Sequence, residues 1–369
     1  MFSEEHLYSI ALRRCHLIGD VNFYKLLRLE GSAEQVWKSS KRILAKIEGI
    51  GSKTVSEIGN SEHLNFAENE LKFCKKNNIG ILLRHQKELP FLLNECEDSP
   101  SILYYKGNSE IHDLNISIVG TRNVTHYGKR FVEDFLKEIQ NSKVTSVSGL
   151  ALGVDTEVHE HSLKNNISTV AVLAHGFHTL YPSKNRKLAD KILENKGTLF
   201  TEFNSSQKPD RENFIQRNRV IAGLSKATIV VETAFGGGSI TTVGFANDYN
   251  RDVYALPGKI FDQYSQGCNQ LILKNKASAI STIPDLIKDL EIKNNKEKTG
   301  MLFPFSEEKL ELSESQKLIY KIINENKTIT LDDLSVKSEI PSHKILPILL
   351  DLELSGYIKS LSGRQYMAI

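Results

Sequence analysis

Cysteine is scarce in this sequence of 369 residues, and the wide spacing of the cysteines argues against both a disulfide-stabilised and a zinc-stabilised fold. Scattered thiols without a C-x-x-C pair are not typical of a disulfide framework or of a zinc site. We therefore expect reduced cysteines, a cytoplasmic location and no bound metal or cofactor. The four cysteines are Cys15, Cys74, Cys96 and Cys268.

Long apolar runs and an excess of one charge are also missing. No segment approaches the roughly 20 apolar residues that a membrane-spanning helix needs. The first residues carry acids early and contain no apolar run of secretory length. A net charge of +2 is nearly neutral, so a polyanion would have to bind through a local patch. A chain of this length predicts two or three domains.

Several motifs of enzymes and nucleotide-binding proteins are absent. The first predicted strand of the central region is not followed by G-x-G-x-x-G, so ordinary dinucleotide binding is not supported. The segment GSKT at 51–54 follows a helix and lacks the P-loop order. His159 and His161 are two residues apart, which points them to different helix faces, and H-E-x-x-H is missing. No Ser/His/Asp or Cys/His set can be identified.

Apolar, β-branched runs alternate with helical stretches from residue 115 onwards. This alternation predicts βαβ units with right-handed crossovers, and hence an α/β, Rossmann-like, mainly parallel sheet with helices on both faces. The predicted strands are 116–121, 144–149, 168–175, 197–202, 227–233 and 252–258. The predicted helices between them are 127–140, 154–165, 185–195, 213–224 and 239–250.

Polar residues and glycines stand at the ends of these strands, where open α/β sheets bind their ligands. This coincidence predicts a single site at one rim of the sheet. In chain order the strand ends carry Gly120, Thr121 and Arg122; Ser148 and Gly149; His175 and Gly176; Glu202; Glu232 and Thr233; and Pro257, Gly258 and Lys259.

The stretch 214–242 combines three features of an anion site. Arg217 and Arg219 stand at the opening of a helix, a buried strand follows, and a glycine turn at 236–238 leads through Ser239 into another helix. Unpaired N–H groups and the helix dipole at such a turn attract anions. A pair of guanidinium groups favours phosphate.

Three further polar residues have both a structural and a chemical interpretation. Asp155 and His159 are four residues apart on one helix face, so we expect them to hydrogen-bond to each other and order the loop 148–155 rather than act as acid and base. Glu232 could act as a base or bind a ribose hydroxyl. We favour a structural role in which Glu232 holds one of the two arginines.

Residues 1–78 predict a small domain of short helices. In the segment 43–58, the turn G-I-G at 49–51 ends one helix and begins another, which resembles a helix-hairpin-helix or SAM-like fold. The exposed N–H groups of such a turn, beside Lys53, can bind a backbone phosphate. Simple packing stays equally open, because glycine C-caps produce the same turn. Residues 16–27 look like a decayed copy, for which packing is favoured.

The remaining boundaries follow from composition. Residues 79–107 shift towards extended structure and begin a second domain, 79–292, to which they add an edge element. The lysine-, asparagine- and glutamate-rich segment 293–312 is typical of a linker. Residues 313–369 predict three helices and a hairpin, which resemble a winged helix. Its longest helix offers one histidine and one lysine against two acids, so we favour a protein-binding or self-association role over DNA reading.

Six ordered blocks within residues 116–280 resemble the DNA-processing protein A (DprA/Smf) family. With the paired hairpins and the segment 89–108, the resemblance covers nearly the whole chain. It departs at 276–277, where K-A replaces the usual G-A, and at 201–202, where T-E replaces S-E. The blocks are IVGTRNVTHYG (118–128), SVSGLALGVDTEVH (146–159), TVAVLAHGFHTLYPSKN (169–185), FIQRNRVIAGLS (214–225), VVETAFGGGSITT (230–242) and ALPGKIFDQYSQGCNQLI (255–272).

The resemblance implies a Rossmann-like protein without known catalysis that binds single-stranded DNA in a basic pocket. It implies further partners: a RecA-type recombinase that the protein loads onto incoming DNA in natural transformation, single-strand-binding protein, and a second copy of the chain as a homodimer. The implied phosphate-binding residues are Gly120, Thr121, Arg122, Ser148, Gly149, Lys184, Arg217, Arg219, Gly237, Gly238, Ser239 and Lys259. Gly49, Gly51 and Lys53 would form a secondary DNA contact.

Two other functions stay open from the sequence. The glycine turn after Glu232 also resembles that of nucleoside-monophosphate phosphoribohydrolases, although no acid/base pair is defined. A scaffold with a vestigial pocket is the third interpretation.

Overall fold

The chain folds into two compact units, Met1–Asn295 and Lys296–Ile369. None of the helices in the described ranges is both long and apolar enough to cross a membrane. The linker predicted at 293–312 lies, apart from its first residue, outside the described residues. This computed structural model describes residues 2–47, 49–109, 111–112, 114–293, 313–326, 328–354, 357–361 and 365–368.

Six short helices open the first unit, as the sequence predicted. Polar side chains cap several of them: Ser32 Oγ accepts a hydrogen bond from the Gln35 amide at 3.1 Å, and Asn60 Oδ1 accepts one from the Glu62 amide at 3.0 Å. Such caps satisfy amides that the first helical turn leaves unpaired. The helices are α1 (Glu4–Arg14), α2 (Asp20–Glu30), α3 (Ala33–Lys38), α4 (Lys41–Leu44), α5 (Ser52–Glu57) and α6 (Ser61–Lys76).

A nine-stranded sheet forms the rest of the first unit, in the order β1-β2-β6-β5-β4-β3-β7-β8-β9. Strands β3 to β9 run parallel, whereas β2 pairs antiparallel with both β1 and β6. The predicted edge element is therefore confirmed as β1. The strands are β1 (Gly80–Leu83), β2 (Ile102–Gly107), β3 (Leu114–Val119), β4 (Val144–Ser148), β5 (Ser168–Val172), β6 (Thr198–Thr201), β7 (Ala227–Val230), β8 (Asp252–Ala255) and β9 (Ser278–Ala279).

Helices connect the parallel strands and cover both faces of the sheet, which confirms the predicted Rossmann-like fold. From β3 the chain winds outwards to β6, then returns across the sheet to place β7 on the other side of β3. Two 3₁₀ turns, Arg84–Gln86 and Ser183–Asn185, interrupt the connections. The helices are α7 (Phe91–Asn94), α8 (His126–Glu138), α9 (Val154–Lys164), α10 (Arg186–Glu194), α11 (Arg211–Gly223), α12 (Ser239–Asp248), α13 (Gln266–Leu273) and α14 (Ile283–Asp289).

Burial on both faces explains why the central strands are continuous apolar runs. Every residue of β4 and β7 is buried, as expected for a parallel sheet between two helical layers. In β3, Ile116 and Ile118 pack with α8 and α14, whereas Val119 packs with α11 and α12 on the opposite face. The alternation of side chains along a strand produces this division.

Two local expectations differ from the structure, and one short strand was not predicted. The run 89–96, predicted as extended, contains the short helix α7. Helix α11 begins at Arg211, where Asp210 Oδ1 caps the Glu212 amide at 3.0 Å, so Arg217 lies within the helix and not at its opening. The two-residue strand β9 lacked an apolar run that could predict it.

The second unit has the predicted three helices and hairpin. Its three strands pair in the order β10-β12-β11, with both pairs antiparallel. Buried Ile319, Leu334, Ile345 and Leu352 form its core. Its elements are α15 (Glu314–Glu325), β10 (Ile329–Thr330), α16 (Leu331–Ser338), α17 (Ser342–Leu354), β11 (Ile358–Leu361) and β12 (Gln365–Ala368).

Candidate functional site

A cavity of about 330 Å³ opens at the point where the strand order reverses, between the carboxyl ends of β3 and β7. Ligands of open α/β sheets bind at such a switch point because the two neighbouring loops turn away in opposite directions. Gly120–Arg122 after β3 and Thr233–Ser239 after β7 form two of its walls, and α11 forms a third. We call this cavity the central pocket.

The glycine turn brings the amino end of α12 to the central pocket. Gly236 has a φ of +71°, which favours glycine. A Cβ at Gly237 would lie 2.4 Å from Thr233 Oγ1, so only glycine fits there without displacing its neighbour. Gly237, Gly238 and Ser239 all line the cavity. The positive end of the α12 dipole therefore faces the space that a ligand would fill.

Ser239 supplies an unused polar group at this helix start. The residue is 8% exposed, and its Oγ is buried without a hydrogen-bond partner among the described residues. A buried hydroxyl that lacks a partner is destabilising by itself. Its position in the lining leaves the hydroxyl available to donate a hydrogen bond to a ligand oxygen.

Two guanidinium groups flank one aromatic ring in the pocket wall. The Arg122 guanidinium lies 5.3 Å from the Phe214 ring centre, and that of Arg217 lies 5.8 Å from it. Arg122 is exposed on the loop after β3. It can therefore contact a bound anion directly, while the half-buried ring limits its movement.

Arg217 is buried and already bonded. Its Nη1 donates to the Gly149 carbonyl at 2.7 Å and to the Val172 carbonyl. Burial lowers the pKa of Arg217 to about 10, and Asp155 opposes that effect. The side chain therefore stays charged at neutral pH and adds positive potential beneath the pocket while it ties together the ends of β4 and β5.

Asp155 orders the loop that leads from β4 to α9, as predicted, but through other partners. Its Oδ2 accepts hydrogen bonds from the Gly149 amide at 3.1 Å and the Ala151 amide at 3.2 Å. The expected bond to His159 is wrong, because the His159 Nδ1 lies 2.8 Å from Thr169 Oγ1 instead. Burial raises the pKa of Asp155, an effect that Arg217 partly offsets.

Glu232 does not hold an arginine, contrary to the expectation. Its carboxylate accepts hydrogen bonds from the Thr125 amide at 2.8 Å and from Thr125 Oγ1 at 2.5 Å. It thus occupies the amino end of α8. Of the two helix starts beside the switch point, that of α8 is neutralised by the protein's own carboxylate and that of α12 is open to a ligand.

Arg219 lies away from the central pocket in a buried ion network. It forms ion pairs with Glu202 and with Asp20, whose Oδ2 is 3.1 Å from Nη2, and it also donates to the Asp98 carbonyl. Asp20 stands at the start of α2 and pairs with Arg13 at 3.3 Å as well. This network fastens the first hairpin to α11, so the predicted phosphate contact for Arg219 is not supported.

Four other predicted residues do not line the pocket either. Ser148 is fully buried and donates to the Ile118 carbonyl at 2.7 Å. Gly149 lies under the Arg217 guanidinium, where a Cβ would be 2.3 Å from Nη1. Lys184 and Lys259 are exposed on the loops after β5 and β8, and stay predictions for a longer ligand.

A second depression of about 610 Å³ adjoins the first and shares Arg122, Phe214 and the glycine turn with it. The sequence argument missed Tyr181, Arg211 and Asn218, which line it. Tyr181 packs edge-on against Phe214 at 5.8 Å between ring centres. The spacing of 211, 214 and 218 along α11 places them on one helical face and was the available signal.

Among the described residues, the linings of the two depressions contain two carboxylates and no histidine, lysine or cysteine. Asp155 accepts hydrogen bonds from the Gly149 and Ala151 amides, and Asp210 caps the Glu212 amide, so both carboxylates are already engaged by the backbone. The arrangement is suited to holding an anion by hydrogen bonds and charge.

One group elsewhere has the composition of a metal site. Potential ligand atoms of Cys15, Glu57 and His63 lie within 4.8 Å of one another. However, the Arg14 guanidinium is 3.1 Å from His63 Nδ1, and the His16 amide donates to Glu57 Oε2 at 2.6 Å. These two contacts join α1 and the turn after it to α6 and α5.

The predicted hairpin turn has its expected local form. Gly49 has a φ of +83°, and Gly51 is the N-cap of α5. Lys53 is exposed in the first turn of that helix. A role of these residues in DNA binding stays a prediction.

Sequence profiles connect these features with known proteins. The family described as DNA recombination-mediator protein A matches residues 80–291, and the DprA winged helix domain matches residues 304–364. The chain belongs to the DNA recombination-mediator protein A family. Protein Smf of Synechocystis is 34% identical over 296 residues, which are 79% of this chain and 74% of that protein. DNA processing protein DprA of Bacillus subtilis is 37% identical over 60% of this chain and 74% of its own length.

Solved structures agree with the family assignment. The X-ray structure of DNA processing protein A from Streptococcus pneumoniae has a TM-score of 0.67 and 28% identity, and covers 78% of this chain and 98% of that one. DNA processing protein A from Helicobacter pylori, described by its single-stranded DNA binding mode, has a TM-score of 0.53 and 26% identity, and covers 58% and 95%.

Proposed function

We propose that this protein binds single-stranded DNA at the central pocket without sequence preference. The observation that carries the proposal is the open amino end of α12, where buried Ser239 Oγ has no partner within the described part of the chain and Arg122 lines the same cavity. Backbone amides, a hydroxyl and a guanidinium are the donors that bind phosphate. Their contacts carry no base identity, which accounts for sequence independence.

The neighbouring depression supports a strand in preference to an isolated phosphate. Phe214 and Tyr181 offer aromatic surface beside the guanidinium of Arg122. Unpaired bases stack on such rings, whereas the bases of a duplex already stack on each other. Lys184 and Lys259 would meet phosphates beyond the pocket.

As part of this proposal, the protein protects incoming DNA in natural transformation and loads a RecA-type recombinase onto it. It would displace single-strand-binding protein and act as a homodimer. The membership of a family of recombination mediators supports this role. It is a binding function, for which the pocket needs no reacting group.

The winged-helix unit is proposed to bind protein or to self-associate. Helix α17 exposes 47% of Leu346 and 56% of Leu350, next to Asp351. Exposed leucines on a helix match a protein surface better than a phosphate backbone.

Fluorescence anisotropy with labelled oligodeoxythymidylate and oligodeoxycytidylate tests the central pocket. Arg122→Gln should weaken the binding of both strands alike, by about tenfold at low salt, because it removes one charged phosphate contact. Affinity should also fall steeply as salt rises.

Arg130→Gln is the matched control, because Arg130 is exposed on α8 and pairs only weakly with Asp134 at 3.4 Å. It removes the same charge but should leave affinity near that of the wild type. Equal affinities of the Arg122 and Arg130 variants would contradict the proposed site.

A further inference from the structure

A groove of about 490 Å³ lies between α2 and α4, outside the central pocket. Aliphatic side chains line it, of which Leu29 is 55% and Ile43 46% exposed. Three cations stand at its border: Lys25 and Arg28 from α2, and Lys46 from the turn after α4. No carboxylate among the described residues lines this surface, which we call the hairpin groove.

The three cations have no ion-pair partner among the described residues. Two neighbouring exposed lysines differ from these three: Lys38 pairs with Glu34 at 2.5 Å, and Lys41 Nζ donates to the Ser56 carbonyl at 2.9 Å. Exposed like charges that lie together without acids repel one another. Such a concentration of unpaired charge indicates a polyanionic partner.

The groove joins the two hairpins into one surface. The Lys25 ammonium of the first hairpin lies beside the turn of the second, 3.2 Å from the position that a Cβ on Gly49 would take. The first hairpin therefore contributes charge in addition to the packing expected of it. Its helix α2 is fastened at Asp20 to Arg219 of α11, the helix that also forms a wall of the central pocket.

We propose that the hairpin groove binds the phosphodiester backbone of DNA as a second contact, separate from the central pocket. The cations meet the phosphates, and the aliphatic floor covers the sugars. This inference rests on the proposed DNA-binding function, which it extends to a longer stretch of DNA. Charge complementarity selects this occupant, since each cation that meets a phosphate also releases a counterion.

The test uses the full chain with Lys25→Gln, Arg28→Gln and Lys46→Gln combined. On a long single strand the triple variant should lower affinity about tenfold at low salt. It should also reduce the slope of log affinity against log salt by about 2, since each phosphate contact contributes roughly 0.7. The matched control is the triple variant Lys72→Gln, Lys75→Gln and Lys76→Gln, which removes three exposed charges from α6.

Two further measurements separate the sources of failure. A parallel titration with duplex DNA shows whether the groove takes its backbone from single or double strands; a selective loss on either form supports the proposal. Equal losses in the groove and control variants, or no loss on either DNA form, would overturn it. Arg122→Gln, measured in the same experiment, reports on the central pocket alone. The proposal for the pocket and the proposal for the groove can therefore be contradicted independently of each other.

Discussion

The central pocket and the hairpin groove present positive charge in opposite ways. In the pocket, Arg217 is 5% exposed and its Nη1 is bonded to two carbonyls, so its contribution is a field from a fixed position. In the groove, Lys25, Arg28 and Lys46 are exposed and unpaired within the described structure. The charge of Arg217 in the pocket is therefore held in a fixed position, whereas the three charges of the groove are in contact with solvent.

This difference assigns separate roles to the two regions: the pocket orients a phosphate, and the groove attracts the DNA by charge. Fixed dipoles and a buried hydroxyl can position one phosphate, because they do not have to reorganise when it binds. Mobile surface lysines supply affinity that salt weakens. We therefore expect substitution of the buried pocket arginine to affect folding and geometry, and substitutions in the groove to affect mainly the salt dependence of binding.

Arg217→Ala should have the largest effect, on stability. It leaves Asp155 buried without its nearby cation and removes donors from two buried carbonyls, which we expect to lower the free energy of unfolding by about 3–5 kcal/mol. Urea unfolding followed by circular dichroism at neutral pH measures this. Arg217→Lys should lose less, since the charge is kept. The groove triple variant should stay within about 0.5 kcal/mol of the wild type; a similar loss there would remove the contrast.

The next largest difference between the two regions should appear in the pH dependence of stability. Burial lowers the pKa of His159 to about 3 from its ordinary 6.5, with Arg217 acting in the same direction. The native state keeps this ring neutral while the unfolded chain takes up a proton, so its stabilising effect is present above pH 6.5 and declines towards pH 3. At pH 5 the loss is about 2 kcal/mol.

The measurement is urea unfolding at pH 7 and pH 5 for the wild type, His159→Gln and the groove triple variant. His159→Gln should show a decline smaller by this amount, whereas the groove variant should follow the wild type. An unchanged decline in His159→Gln would refute the assignment to this residue.

Ser239→Ala should have the smallest effect on DNA affinity, but it should distinguish the pocket from the groove most clearly. Loss of one hydroxyl contact should reduce single-strand affinity about fivefold, or roughly 1 kcal/mol, without changing the salt slope. Lys46→Gln should instead lower the slope by about 0.7. Anisotropy titrations at several salt concentrations distinguish the two. A changed slope in Ser239→Ala would show that the pocket acts through charge in the same way as the groove.

The sequence was sufficient for most of the fold. Buried β-branched runs marked the six parallel strands from β3 to β8, because a strand covered on both faces has little room for polar residues. Helix α7 was missed because its four residues, FLLN, are too few to show a helical period. The glycine turn before α12 was recognised because few residues other than glycine adopt its backbone conformation.

The roles of single polar residues were harder to predict. Arg217 and Arg219 are two positions apart and so point to opposite sides of α11. Which side faces the pocket depends on how α11 packs against α12 and β5. Similarly, Glu202 and Glu232 both follow strands, and only the order of strands in the sheet decides that Glu202 reaches Arg219 while Glu232 reaches α8.

The helical region and the first two strands of the sheet share one hydrophobic core, so the sheet depends on the helical region to cover its apolar side chains. Ile81 and Leu83 of β1, and Ile102 and Tyr104 of β2, are buried together with the apolar faces of the first helices. The helical segment is therefore a cover as well as an attachment. Its loss in evolution, or its removal by a protease, would expose an apolar face of the sheet that is prone to bind other apolar surfaces.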